Sequence, residues 1–438
     1  MSSTKSKTSP LGHWVALVDG SNFFVSCERA FAPRLHGRPV GVMSNNDGCI
    51  IARSDELKAL GVAMGSPVYK VESLISRHRA VLLSSNFTLY ADMSRRVNEV
   101  LGRFSNQVEP YSIDESFLDL SGFTLDDLWE QGRVIEETIA QEVHLPVGVG
   151  IAPTATLAKL ANRAAKQSQD AKVYVLDPES KAGQELLETT DVGDVWGVGK
   201  RLAERLQRLG IATAWQLREA PRDLIKKRFS LPLSRIQLEL RGEACRHFQP
   251  SDPRRKQLRV SRSFGQACYQ EDEVTAALRQ HVQRAAEKLR EQKSLAKTLS
   301  VFLTTNPFRK DLPQHSDSLV WEFAQPTADT GEMLAAARKL VRRLWREGYS
   351  YHKAGVLLMQ LVDAGQAQMS LLEESEDHGH RLQRERLMQV MDEVNRKQGR
   401  GSLSFGPGAS SGRWRARQTR RSPEYTTCWQ ELPQVVAK

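Results

Sequence analysis

Apolar residues run unbroken from Trp14 to Val18, the pattern of a strand buried on both faces, and the run stops at Asp19–Gly20. A second strand-like stretch, Val108 to Leu120, carries Val108, Tyr111, Ile113, Phe117, Leu118 and Leu120 on two arms that meet at Asp114–Glu115. Neither Gly nor Asn lies between those arms, so nothing there favours a tight primed turn. Tyr90, Met93, Val97, Leu101 and Phe104 recur at helical spacing and predict a helix over 89–104; another is expected over 125–143. PVGVGIA (146–152) reads as a short buried strand running into TATLAKLANRAAK. In that helix Leu157, Leu160, Ala161, Ala164 and Ala165 share the buried face, and Lys159, Asn162, Arg163 and Lys166 fall on the other. Residues 31–79 differ: a short apolar strand, an NNDG turn and a helix from Asp55 to Leu60 ended by Gly61 make a compact insert. Residues 11–30 and 80–176 together predict an α+β layer with helices on one face of a mixed sheet.

Further along, residues 177–250 are helical and basic, with a G-V-G-K turn at 197–200 between apolar-periodic segments. Such glycine turns let backbone N–H groups approach a phosphate closely. A linker at 251–257 lies inside PSDPRRKQLRVSR (250–262), where Asp252 is the lone acid among several arginines. Residues 258–362 read as strand, helix, strand, strand, helix and strand, a small ββαββα-like domain. Leu278, Val282, Ala285 and Leu289 bury one helical face, and LVRRLWREG (340–348) is a second, basic amphipathic helix. In 363–438 the regularity fades to a helix from Leu382 to Lys397 and the segment GRWRARQTRR, where five arginines flank Trp414, a composition that can stack on and grip nucleic acid. No internal repeat of fixed period is present.

Composition narrows the class. The 438 residues suffice for about three domains. Net charge is +10 and the pI near 9.4, which points to a polyanionic partner. There is no run of 18 apolar residues and no charged-then-apolar leader, so neither a membrane span nor a secretory signal is expected. The first ten residues are polar and expected to be disordered. The five cysteines lie far apart without a CxxC, which argues against a zinc knuckle or a disulfide scaffold and fits a reducing, cytoplasmic setting.

The acids then change character. A carboxylate ending a buried strand must be paired, hydrogen-bonded or metal-bound; Asp19 could otherwise cap the helix that follows, and Asp114–Glu115 could be a solvated tip. If the two strand ends lie side by side, three acids share one sheet edge and repel unless cations sit between them, the arrangement of a two-metal phosphoryl-transfer site. The basic stripe at Lys159, Arg163 and Lys166 is a solvated face unless it looks at those acids.

Six segments, DGSNFFVSCE, NNDGCIIARS, LYADMS, YSIDES, VGVGIAPTATLAKLAN and DVWGVGKR, occur in an order that closely resembles the Y-family translesion DNA polymerases, and within them the UmuC-like branch of SOS polymerases. The resemblance runs from about residue 12 to the C-terminus. It implies a right-hand, multidomain α+β architecture: palm (11–30 and 80–176), fingers (31–79), helix-hairpin-helix thumb (177–250), and little finger (258–362). It also implies that Asp19, Asp114 and Glu115, with the main-chain carbonyl of Gly20, bind two Mg²⁺. Phe23 and Phe24 would border the nucleotide, with Phe24 at the steric-gate position where many relatives carry Tyr; Lys166 would hold the triphosphate. In the fingers, Asp55 and Lys58 stand where many relatives place Tyr and Arg, so Lys58 offers a point charge without a bidentate fork, and Asp55 cannot donate to phosphate. Candidate DNA contacts are Lys159, Arg163, Gly197, Gly199, Lys200, Arg254, Arg255, Lys256 and Arg259. Gln368, Met369, Ser370, Leu371 and Leu372 resemble a sliding-clamp-binding peptide, an extended segment with apolar anchors. Primer-template DNA, deoxynucleoside triphosphates, two processed UmuD-type subunits, RecA and the clamp are the implied partners, with a cytoplasmic, nucleoid-associated location. Two other readings stand beside it: a palm-type nucleotidyl cyclase, which would not need a duplex-gripping thumb, and a non-catalytic damaged-DNA-binding scaffold, which would not need three acids.

Overall fold

A computed structural model describes residues 12–168, 172–246, 248, 254–366, 375–399, 401–406 and 414–433. The chain forms two units: residues 1–44, 48–252 and 420–438 make the first, and residues 45–47 and 253–419 the second.

In the first unit, strand β1 (Val15–Gly20) leads into helix α1 (Phe23–Phe31). Next come β2 (Val40–Met43), β3 (Ile50–Arg53), α2 (Asp55–Ala59), α3 (Val68–Arg77) and β4 (Val81–Ser84), with a three-stranded sheet of order β3-β2-β4 at their centre. The Ser54 side chain caps α2 by accepting from the Leu57 N–H, and Gly61 takes φ +81° just past its end, as the sequence pattern expected. Then follow α4 (Phe87–Leu101), β5 (Val108–Pro110), β6 (Glu115–Asp119), α5 (Leu125–Glu142), β7 (Val147–Ala152), α6 (Ala155–Gln167) and β8 (Val173–Val175). The second sheet of this unit has the order β5-β6-β1-β7-β8, antiparallel throughout except for β7–β8.

That larger sheet is covered on both faces, which corrects the expectation of a single helical layer. Ala16 and Val18 point into a core with residues of α4 and α5, while Val15, Leu17 and Phe117 point into another with α6 and the helices that follow it. Those helices are α7 (Lys181–Thr189), α8 (Lys200–Gln207), α9 (Ala214–Glu219), α10 (Arg222–Arg228) and α11 (Leu231–Leu240). A strand buried on both sides has no polar face, hence the unbroken apolar run in β1.

The two glycines of V-G-V-G in β7 let α6 lie against the sheet. A Cβ on Gly150 would stand 2.1 Å from the Asn162 nitrogen and 2.5 Å from the Ala158 carbonyl oxygen, both backbone atoms of α6 that cannot swing aside. Asn162, expected on the polar stripe, is instead buried: its Nδ2 donates to the Leu17 carbonyl at 3.2 Å and the Gly148 carbonyl at 2.7 Å. Gly150→Ala is therefore expected to destabilise the protein by about 3 kcal/mol or more, read as a lower urea midpoint at unchanged slope.

The second unit runs β9 (Leu258–Cys268), α12 (Glu271–Glu291), β10 (Ser294–Thr305), β11 (Ser316–Thr327), α13 (Thr330–Leu344), β12 (Tyr351–Asp363) and α14 (Ser375–Gln398). Its sheet order is β11-β10-β12-β9 and its element order βαββαβ, not ββαββα. Val274, Leu278, Val282, Ala285 and Leu289 of α12 are buried as their spacing requires. Helix α13 starts ahead of the basic stretch expected at 340–348 and stops at Leu344, because its apolar face begins with Met333, Ala336 and Ala337. Trp414 is also a correction: at 8% exposure it is packed into this unit's core and cannot stack on a base.

Candidate active site

Strand register brings the acids together. Asp19 on β1 lies directly opposite Glu115 on β6. Side chains two apart share a face, so Asp19 follows Leu17 and Glu115 precedes Phe117 on the face that α6 covers. Asp114 sits one residue before β6, where its main-chain oxygen accepts from the Gly20 N–H at 2.8 Å and Ser112 donates its hydroxyl to the carboxylate. Ser112 also accepts from the Glu115 N–H at 3.1 Å, so side-chain bonding replaces the turn chemistry that the hairpin lacks. Behind the pair, Ser116 points to the other face and donates to Asn98 Oδ1 of α4 at 2.7 Å. Gly20 admits no side chain, since a Cβ there would meet the Phe23 ring at 2.7 Å.

Helix α6 answers the acids with lysines. Lys166 Nζ lies 2.7 Å from Asp19 Oδ2, and Lys159 Nζ lies 2.8 Å from Glu115 Oε1 and 3.0 Å from Oε2. Two members of the stripe, Lys159 and Lys166, thus face the acidic strand ends, while Arg163 and Asn162 do not. Burial pushes the Asp19 carboxyl up to about 6; Lys166 opposes the shift, and Glu115 and Asp114 add to it. Lys159 also stands 4.7 Å from the Tyr111 ring centroid and 5.2 Å from that of Trp196. On the same aromatic group, the Arg246 guanidinium lies 4.7 Å from Phe117 and pairs with Glu109. Sequence pattern did not single out Arg246 or Trp196, because both reach the hairpin from the helical segment beyond residue 180.

Among the described residues, no three carboxylate, imidazole or thiol side chains converge closely enough to hold a cation. Asp19 and Glu115 turn to ammonium groups instead. The donor set still fits hard cations: it is all oxygen, and its two acids already each grip a positive charge at 2.7–2.8 Å.

Next to this edge, Phe24 on α1 stacks on Tyr90 of α4, with ring centroids 4.5 Å apart and planes 13° apart. Phe23 meets Phe24 at 6.0 Å, and Phe87 meets it edge-on at 5.8 Å. On α2 the Lys58 ammonium lies 2.9 Å from Asp55 Oδ1. Burial works against the Asp55 carboxylate, but hydrogen bonds with Lys58 and Asn22 prevail and hold its pKa below the usual range. Asp55 thus competes with any phosphate for that lysine.

The remaining candidates divide by exposure. Gly197 takes φ +87°, Gly199 caps α8, and Lys200 opens that helix, exposed. Arg163 pairs with Asp194 at 2.7 Å, a half-exposed pair worth little. In the second unit, Arg255 and Lys256 are exposed, Arg254 pairs with Asp363, and Arg259 lies 4.5 Å from the Phe302 ring centroid. The clamp-like peptide Gln368–Leu372 lies outside the described residues.

Residues 18–163 match the impB/mucB/samB family, residues 255–371 its C-terminal domain, and residues 180–211 its helix-hairpin-helix motif. UmuC of Salmonella typhimurium is 42% identical over 422 residues, covering 96% of this chain and 99% of that protein. The chain belongs to this family. It is a UmuC-like Y-family DNA polymerase, and such polymerases depend on divalent metal. MucB of Escherichia coli is 38% identical over 97% of the chain and its own full length, and DNA polymerase IV 1 of Bacillus subtilis is 27% identical over 87% of the chain and 90% of its own. A Y-family polymerase chimera of Dbh and Dpo4 shares the fold, with TM-score 0.62 at 21% identity over 80% of this chain and 99% of its own. Residues 385–435 match a domain of unknown function.

Proposed function

We propose that this polymerase extends primers across damaged template, at low fidelity, as part of the SOS response, through a two-metal site at Asp19, Asp114 and Glu115. The observation that carries the proposal is the register pairing of Asp19 with Glu115 beneath two lysines of α6. In the proposal residues 11–30 and 80–176 are the palm, 31–79 the fingers, 177–250 the thumb and 258–362 the little finger. When bound, two Mg²⁺ lower the pKa of the primer 3′-hydroxyl and neutralise the departing pyrophosphate. Asp19, Asp114, Glu115 and the Gly20 carbonyl would hold those cations at the ends of β1 and β6. Lys166 then takes the triphosphate, and Phe24 closes off the space where a ribose 2′-hydroxyl would sit. Exclusion by Phe24 acts through bulk alone, since it lacks a phenolic hydroxyl.

Primer-template DNA and deoxynucleoside triphosphates are the proposed substrates. Two processed UmuD-type subunits, RecA and the sliding clamp are the proposed partners, in a cytoplasmic, nucleoid-associated setting. Among the described residues no helix is long and apolar enough to cross a membrane. A cyclase or a non-catalytic scaffold finds no comparable support.

The test is primer extension on an undamaged template with single deoxynucleotides: incorporation must need Mg²⁺ and follow the template base. Incorporation that ignores the template would overturn the proposal. Two further outcomes are expected. Protons compete for Asp19, so the Mg²⁺ concentration for half-maximal extension should rise about tenfold per pH unit once pH falls below the raised carboxyl pKa. With phosphate contacts from Lys200, Arg254, Arg255, Lys256 and Arg259, duplex binding should weaken by about a hundredfold or more between low and moderate salt, read by fluorescence anisotropy. Replacing any one of these residues should lower the log–log salt slope by about one.

A further inference from the structure

Residues 420–425 return to the first unit and lie against the back of the Phe24 stack. The Ser84 N–H donates to the Arg420 carbonyl at 3.0 Å, and the Arg420 N–H donates to Ser84 Oγ at 3.0 Å. Asn86, buried at 1% exposure, caps α4 and turns its Nδ2 to the Ser422 carbonyl at 3.2 Å, Ser422 Oγ at 3.0 Å and the Pro423 carbonyl at 3.0 Å. Ser422 in turn donates its hydroxyl to Glu28 Oε1 at 3.0 Å. Tyr90 donates to that same oxygen at 2.7 Å, and Tyr90 is the ring on which Phe24 stacks. Tyr425 stacks on Phe31 at the far end of α1, centroids 5.0 Å apart.

Glu28 and Tyr90 are 1% and 0% exposed, and Glu28 has no cationic partner among these contacts. A buried carboxyl of that kind is held by hydrogen bonds alone, and here both come from hydroxyls. Burial pushes its pKa up, against the two hydroxyl bonds. Removing the Ser422 hydroxyl leaves one lone pair of the buried Glu28 without its partner, while Asn86 Nδ2 keeps the Ser422 and Pro423 carbonyls. Glu28 on α1 is then held by the Tyr90 hydroxyl of α4 alone, and those are the helices that carry Phe24 and Tyr90.

We propose that residues 420–425 brace the sugar gate: through Ser422 and Glu28 they hold Tyr90, and through Tyr90 they set how far Phe24 stands into the nucleotide site. The inference rests on the reading of Phe24 as that gate. It gives a role to the part of the uncharacterised 385–435 region that returns to the first unit. Ser422 and Glu28 are positioning residues that never touch the nucleotide.

The experiment compares deoxy- and ribonucleotide incorporation by the full chain, parent and variants, as separate kcat and KM values. Ser422→Ala is expected to reduce sugar discrimination about three- to tenfold by improving ribonucleotide KM, with deoxynucleotide kcat within about twofold of the parent. Ser422→Thr, which keeps the hydroxyl, should restore the parent value. In a Phe24→Ala background Ser422→Ala should change nothing further, because the ring it positions is gone. Tyr90→Phe, which removes only the donor to Glu28, should reproduce Ser422→Ala and serves if the latter folds poorly. If Phe24→Ala itself leaves discrimination intact, the gate reading fails and the brace falls with it. If Phe24→Ala relaxes discrimination but Ser422→Ala and Tyr90→Phe do not, or slow both sugars equally, the brace alone is overturned.

Discussion

Replacing Asp114 by alanine is expected to abolish Mg²⁺-dependent primer extension while leaving duplex affinity intact. A loss of about a thousandfold or more in kcat corresponds to roughly 4 kcal/mol of transition-state stabilisation, the scale on which a metal clamp acts. The variant should fold. Asp114 lies outside the strand, and among the described residues its side chain bonds to Ser112 of the same turn. Its bond to Gly20 is made by the main chain and survives the change. The duplex contacts proposed for exposed Lys200, Arg255 and Lys256 do not involve the hairpin, so anisotropy with labelled duplex separates catalysis from affinity. Asp19→Ala is a poorer probe, because it also strands Lys166 beside a half-buried gap.

The second large effect is expected from Phe24→Ala. The ring packs on Tyr90 and between Phe23 and Phe87, so its loss opens one aromatic volume beside Gly20 without touching the carboxylates. Ribonucleotide incorporation should rise by about a hundredfold or more relative to deoxynucleotide, since what is removed is a steric clash and not a hydrogen bond. Deoxynucleotide kcat should fall only modestly. Continued strict rejection of ribonucleotides would remove Phe24 from the gate. Because Phe24 is partly buried, some loss of stability accompanies the change, about 2–3 kcal/mol if the cavity does not collapse.

Much of this site was legible along the chain because each component is locally encoded. An apolar run ending in Asp19, an acidic pair where two arms meet, and the lysines Lys159 and Lys166, about two helical turns apart on α6, are all short-range patterns. Their meeting follows from strand register and from the glycines that let α6 press on β7. What was not legible depends on distant packing. Asn162 reads as part of a polar stripe until Gly148 and Leu17 offer it carbonyls. Trp414 in its arginine cluster reads as a stacking residue until the second unit's core takes it. Helices on both faces of the large sheet arise because α4 and α5 take one side while α6 and the helices after it take the other, and an apolar helical face says nothing about which surface it will cover. Nothing near Glu28 marks it as the partner of a serine 394 positions away. The βαββαβ order of the second unit was present in the strand and helix pattern, and only its summary as ββαββα failed.

Residues 31–79 show how a local departure would change the proposed chemistry. Asp55 and Lys58 satisfy each other across one turn of α2, so in the proposed site a triphosphate would meet a neutral pair in place of a free cation. In the proposed site the phosphate grip then falls to Lys166, whose pairing with Asp19 would tie that grip to cation occupancy of the same acid. Lys166→Ala should therefore raise the KM for deoxynucleotide more than it lowers kcat.

The measurement that bears most directly on the central claim is primer extension on a template carrying a single blocking lesion. It compares the parent chain with Asp114→Ala, in Mg²⁺, with and without a UmuD-type partner and RecA. The account predicts that the parent inserts nucleotides opposite and beyond the lesion, that product vanishes with Asp114→Ala or chelator, and that both proteins bind the primer-template equally. Extension by Asp114→Ala at the parent's rate would contradict it.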